Sequence, residues 1–134
     1  MSEASRAARI LASYRRLPLW VQWWVALLVL VNSLWVFCLD TVTGQAVAGA
    51  ALFVVLSNGP LLWHFAGMNR ALSIPHLFAW IPLEVFLLQH VLTVPDLAPP
   101  ELAYAVAVLV VNGISLAFDV LDSWRWLRGE RENP

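Results

Sequence analysis

The chain has 134 residues, 60% hydrophobic and 13% charged, with a formal net charge of −1 at pH 7. That length suits one domain, the apolar content is far above that of a soluble domain, and the balanced charge excludes the basic field that would draw nucleic acid. A single cysteine, Cys38, excludes an internal disulfide, a C-x-x-C redox pair and a cysteine-based zinc cluster.

The chain opens with "EASRAARILASYRR". At helical spacing Ala4, Ala7, Leu11 and Tyr14 share one face, and Arg6, Arg9, Ser13 and Arg16 share another. This predicts a short amphipathic helix over residues 1–17, lying at the membrane interface. Anionic lipid headgroups are the expected partner, bound through Arg6, Arg9, Arg15 and Arg16. Pro18 suits the first turn of the helix that follows. The apolar run after it is long for a signal peptide and no A-x-A-like cleavage site follows, so the run is expected to stay as a membrane span.

A hydrocarbon core of ~30 Å takes about 20 apolar residues per helix. Four stretches qualify, over residues 20–39, 46–65, 74–92 and 102–121. The breaks "DTVTGQ", "AGMNRALS" and "TVPDLAPPE" are short and rich in turn formers. Buried helices of a soluble protein do not fit, because four such helices would leave almost no polar face for water. In lipid, helices satisfy their own backbone groups, so the pattern is what that solvent requires. The expected fold is all-α: one membrane domain over 1–134, a four-helix transmembrane bundle running up-down-up-down, with residues 122–134 as a tail.

Charge gives the bundle a sidedness. Arg6, Arg9, Arg15, Arg16, Arg70, Arg125, Arg128 and Arg131 all fall on one expected side, and the chain has no lysine. The two opposite loops carry Asp40, Asp96 and Glu101 and no basic residue. The positive-inside rule then puts both termini in the cytoplasm. Trp20, Trp23, Trp24, Trp63, Trp124 and Trp126 line the same boundary, as an aromatic belt would.

Each span carries one strongly polar residue near its centre: Asn32, Asn58, Glu84 and Asn112. Antiparallel helices could bring these together in one layer, since polar residues at such depth face the protein interior. An ionised carboxylate there costs on the order of 3 kcal/mol on insertion scales. Eleven Leu, Ile, Val and Phe residues in 74–92 offset this by about 3–7 kcal/mol. The span therefore inserts with less margin than its neighbours. Glu84 can act as a protonatable site on a proton or ion path beside the three asparagines, or as a hydrogen-bonding tie between helices. In the second span Pro60 cannot donate to the Leu56 carbonyl, which predicts a bend, and Gly59 would permit close backbone approach. The small residues "AVAGAA" (46–51) offer a surface for close helix packing.

His64, His76 and Asp119 fall at similar depth near the arginine-rich boundary, and two histidines with a carboxylate are raw materials for a metal site, or for haem held by paired histidines. Asn112, Ser115, Asp119 and Asp122 share one face of the fourth span, and His90 lies at the other end of the third. "DVLDSWRWLRGERE" reads as a helix leaving the membrane, with Arg128 and Glu132 at i,i+4 spacing. No G-x-S-x-G elbow, H-E-x-x-H pair or phosphate-binding glycine loop is present, and no motif calls for a cofactor.

In general style the chain is similar to small bacterial inner-membrane proteins, which implies a cell-membrane location. Its short loops, small-residue face and interior polar groups point to a non-enzymatic accessory or interaction subunit, in a homo-oligomer or a larger membrane complex. A proton or ion pathway through Glu84 is the alternative, and a metal- or haem-dependent enzyme built on His64, His76 and Asp119 a second one.

Overall fold

The computed structural model describes residues 3–67 and 70–130, and among them there is helix and no strand. Helix α1 spans Glu3–Arg15, α2 Leu19–Val31, α3 Val42–Phe65, α4 Ser73–Thr93 and α5 Pro99–Leu127. Short 3-10 turns at Leu34–Phe37 and Arg70–Leu72 complete the order. Four segments are long and apolar enough to cross a membrane: Leu19–Phe37, Val42–Phe65, Arg70–Thr93 and Pro99–Leu127. They match the four stretches read from the sequence. Arg131 and Glu132, and with them the Arg128–Glu132 pairing, lie outside the described residues.

The first span is not one helix. α2 stops at Val31, and Asn32 turns back on itself, its side-chain amide donating to the Leu28 carbonyl at 2.9 Å. An asparagine that bonds its own helix competes with the regular backbone ladder. The chain then crosses Ser33 into the 3-10 turn and reaches Thr41. Thr41 Oγ1 accepts from the Gly44 backbone N–H at 2.9 Å, which caps α3 four residues earlier than the sequence predicts. Gly44 is obligatory there, because a Cβ would collide with the Cys38 carbonyl. α3 then runs through Pro60 to Phe65. A Cβ at Gly59 would meet nothing within 4 Å, so the close approach expected there is not used.

α5 is the longest helix, continuing past the expected span to Leu127. Pro99 and Pro100 open it, where the missing N–H groups cost nothing, and Gly129 ends it in a left-handed turn with φ of 97°. Its buried residues are Tyr104, Ala105, Val108, Asn112, Ser115, Asp119 and Ser123, a stripe at helical spacing. The matching stripe on α4 is Ala79, Trp80, Leu83 and Leu87. These two helices make the most extensive contact in the bundle, and Val31 and Val47 from α2 and α3 close the core against them.

α2 and α3 are barely buried. Only 6% of the most apolar window of either segment is inside the protein, against 39% and 33% for the α4 and α5 segments. Leu19, Trp20, Trp23, Val29, Leu52, Val55 and Leu56 all stand more than half exposed.

α1 is helical as expected. Arg6, Ile10, Ser13 and Tyr14 turn toward the protein, while Ala4, Ala7 and Leu11 are exposed. Arg6 donates to the Trp63 carbonyl at 2.7 Å and to that of His64 at 3.4 Å, in the last turn of α3. Tyr14 donates to the Gln22 carbonyl at 2.8 Å, and Gln22 donates to the Leu17 and Arg15 carbonyls, closing the corner into α2.

Candidate functional site

The polar side chains of the bundle collect in three groups along its length. At the end where α3 and α5 begin, Glu101 accepts from Thr43 twice, from the backbone N–H at 3.2 Å and from the hydroxyl at 2.9 Å. The same oxygen lies 3.1 Å from His90 Nε2. A carboxylate in the first turn of α5 thus caps the N-terminus of a neighbouring helix, where backbone N–H groups have no partner within their own helix. Thr43 has no exposed surface. Sequence reading placed Glu101 in a loop and left His90 alone. The available signal was that Thr43 and Glu101 both stand at helix starts.

In the middle, Asn32 and Asn112 exchange two hydrogen bonds. Asn32 Nδ2 donates to Asn112 Oδ1 at 2.7 Å, and Asn112 Nδ2 donates back to Asn32 Oδ1 at 2.9 Å. Asn112 is completely buried. Just beside it the Tyr104 hydroxyl donates at 2.7 Å to the Val31 carbonyl, a group freed where α2 ends. Glu84 stands apart from this pair, over Gly113. A Cβ at position 113 would lie 3.2 Å from Glu84 Oε2, so the glycine makes room for the carboxylate. Glu84 Oε1 is buried without a hydrogen-bond partner among the described residues.

The third group lies toward the end where α3 closes and α4 begins. Asn58 Nδ2 is 3.1 Å from His76 Nε2. An amide nitrogen only donates, so with the Asn58 amide in this orientation Nε2 accepts, and the histidine proton sits on Nδ1. That nitrogen faces Asp119 Oδ1 at 3.6 Å. The His76 ring stacks on Trp80 with centroids 4.5 Å apart, which fixes its plane. Asp119 Oδ2 and Asn58 Oδ1 are both buried without a partner among the described residues. Arg70 is buried as well. It donates to the Glu130 carbonyl at 2.9 Å and lies 3.6 Å from Asp122, tying the α3–α4 connection to the end of α5.

Of the four mid-depth residues, then, Asn32 and Asn112 meet each other. Asn58 meets His76 instead, and Glu84 packs on Gly113. Of the proposed ligand set, His76 and Asp119 come together. His64 is exposed, with its ring edge-on to Phe65 at 5.0 Å. Among the described residues no three His, Cys, Asp or Glu side chains gather in a set that could hold a metal ion.

Asn32, Asn58 and His76 also share a cavity of about 430 Å³ between α2, α3 and α4, whose other walls are almost entirely apolar. No family model, curated protein or solved structure matches the chain.

The amide pair gives a direct test. Interhelical hydrogen bonds in membrane proteins average ~0.6 kcal/mol and reach ~1.7. A double-mutant cycle of Asn32→Ala and Asn112→Ala, read by unfolding in mixed micelles, should give a coupling in the upper half of that range, because two bonds break together. Strictly additive single substitutions would contradict the pairing.

Proposed function

We propose that this chain is an integral protein of a cell membrane, of the bacterial inner-membrane type. In this reading its four spans run up-down-up-down and both termini are cytoplasmic. The arginines set that orientation, and α1 lies against anionic headgroups through Arg6, Arg9, Arg15 and Arg16, with Arg6 shared between lipid and the end of α3. The protein has no catalysis of its own and serves as an accessory or interaction subunit, in an oligomer or a larger membrane complex.

The observation that carries this reading is the unequal burial of the spans. α4 and α5 bury about a third of their apolar windows, and α2 and α3 bury 6%. In lipid no hydrophobic force drives those faces inward, so they stay available to other transmembrane helices. The face includes Gly49, where a Cβ would meet nothing within 4 Å, so a neighbouring backbone can come close. Gentle detergent extraction with mass determination of the intact particle tests this. The expected result is a multiple of the 15.0 kDa chain, or the chain with a second protein bound. A particle holding one chain alone would overturn it.

A second reading is favoured by the unpartnered oxygens of Glu84 and Asp119 and by the Asn58–His76–Asp119 sequence of contacts. In it, protons or ions cross an oligomer by way of Glu84, with Asn32, Asn58 and Asn112 beside the path. Liposomes containing the protein would then pass protons down a pH gradient. Glu84→Gln should reduce that flux at least about tenfold with the helical content unchanged, since amide and carboxyl differ in proton binding and hardly in shape. Flux equal to that of empty liposomes, or unchanged by Glu84→Gln, would exclude this reading.

A further inference from the structure

Glu84 is the one mid-span polar residue without an answering group. Asn32 and Asn112 bond each other, and Asn58 meets His76. No hydrogen bond or ion pair reaches Glu84 from the described residues. Its place in the bundle explains this. Leu83 and Leu87 beside it belong to the core, while Ile81 and Val85 on its other side are about half exposed. On α5, Asn112 is buried, and Val110 and Ile114 near Gly113 are about half exposed. The carboxylate thus stands at the rim of the α4–α5 contact, over Gly113. Oε1 is enclosed there. Oε2 is not enclosed, and Glu84 keeps part of its surface open. In the membrane reading of these helices that surface faces hydrocarbon.

An acidic group at such depth is usually paired with an opposite charge. This chain has none to offer. It contains no lysine. Along the two helices the closest arginines are Arg70, before α4 begins, and Arg125, about 18 Å from Gly113 at 1.5 Å per residue. Arg70 is already held by Asp122 and the Glu130 carbonyl. His76 and His90 lie about two turns away on either side and face Asp119 and Glu101. A second copy would bring another Glu84 to this depth and again no cation. The missing charge therefore belongs to a different chain. With Oε1 enclosed, one oxygen is left to accept. That suits a single ammonium on a slim, flexible stem, whereas a guanidinium gains its advantage by meeting two oxygens at once.

We propose that the α4–α5 rim at Glu84 and Gly113 is the docking face for a transmembrane helix of a different protein, whose mid-span lysine donates to Glu84 Oε2. The proposal rests on the accessory-subunit reading and gives the partner a chemistry. Carboxylate and ammonium are each disfavoured alone in hydrocarbon and are tolerated as a pair.

The test uses the full chain in phosphatidylethanolamine/phosphatidylglycerol vesicles, with a fluorescence donor at Glu130→Cys in a Cys38→Ser background. The probes are acceptor-labelled synthetic single-span peptides of about 20 residues, leucine-rich, with lysine or leucine at the centre. Energy transfer should report association at least about fivefold stronger for the lysine peptide, as expected of a charge-assisted bond in lipid. Moving the lysine two turns toward one end should remove the preference, because the ammonium then leaves the depth of Glu84. Glu84→Gln should lower the lysine peptide to the level of the leucine peptide. The peptide comparison leaves position 84 unaltered, so the test survives if that variant fails to fold. Equal association of the lysine and leucine peptides, or a lysine preference that Glu84→Gln leaves intact, would overturn the inference. The mass of the extracted particle decides the underlying reading separately: a second protein bound, with no lysine preference, sinks this inference alone.

Discussion

Asn112 has no exposed surface, and its amide meets that of Asn32 in two reciprocal bonds. The contact matters because α2 has little else to hold it. Most of its side chains are exposed, and its packing inside the protein is mainly against α5. The amide pair and the neighbouring Tyr104–Val31 bond locate one end of α2. The Tyr14 and Gln22 bonds locate the other through α1. The cavity lies beside this seat, between α2, α3 and α4.

The same economy runs through the rest of the bundle. Apolar side chains cover the outside, and the hydrogen-bonding side chains face one another inside, in the arrangement expected of a protein dissolved in lipid. The stripe on α5 shows it most plainly. Ala105 and Val108 give way to Asn112, Ser115, Asp119 and Ser123 without leaving the buried face. Helix ends are satisfied from neighbouring elements: Glu101 caps α3 at one end, and Arg6 takes its last carbonyls at the other. Arg70, expected only as an orienting charge, is buried and joins the α3–α4 connection to the end of α5.

The number of apolar spans was legible in the sequence because it depends on length and apolar content, whereas the break after Val31, the early start of α3 and the long α5 depend on local capping and contacts. The expected 74–92 became Ser73–Thr93. The inward direction of Asn112 was legible because an amide in an otherwise apolar helix is expected to face a partner inside the bundle. Pairings were not legible. They depend on the rotation of each helix, and where every face is apolar the hydropathy pattern carries little rotational information. Asn58 thus went to His76 rather than to the other asparagines, and Glu84 to Gly113. The contact of Arg6 with the last turn of α3 was likewise not legible, since it joins residues far apart in the chain.

The central claim is that apolar helices cross the bilayer and leave the arginine-bearing ends on one side of it. Thiol labelling in a Cys38→Ser background reads this directly, using Ala8→Cys and Glu130→Cys near the termini and Asp40→Cys and Asp96→Cys in the opposite loops. A membrane-impermeant maleimide applied to intact cells stripped of their outer barrier should label positions 40 and 96. Positions 8 and 130 should react only after permeabilisation. Equal labelling of all four positions, or 40 and 96 reacting together with 8 and 130, would contradict the account.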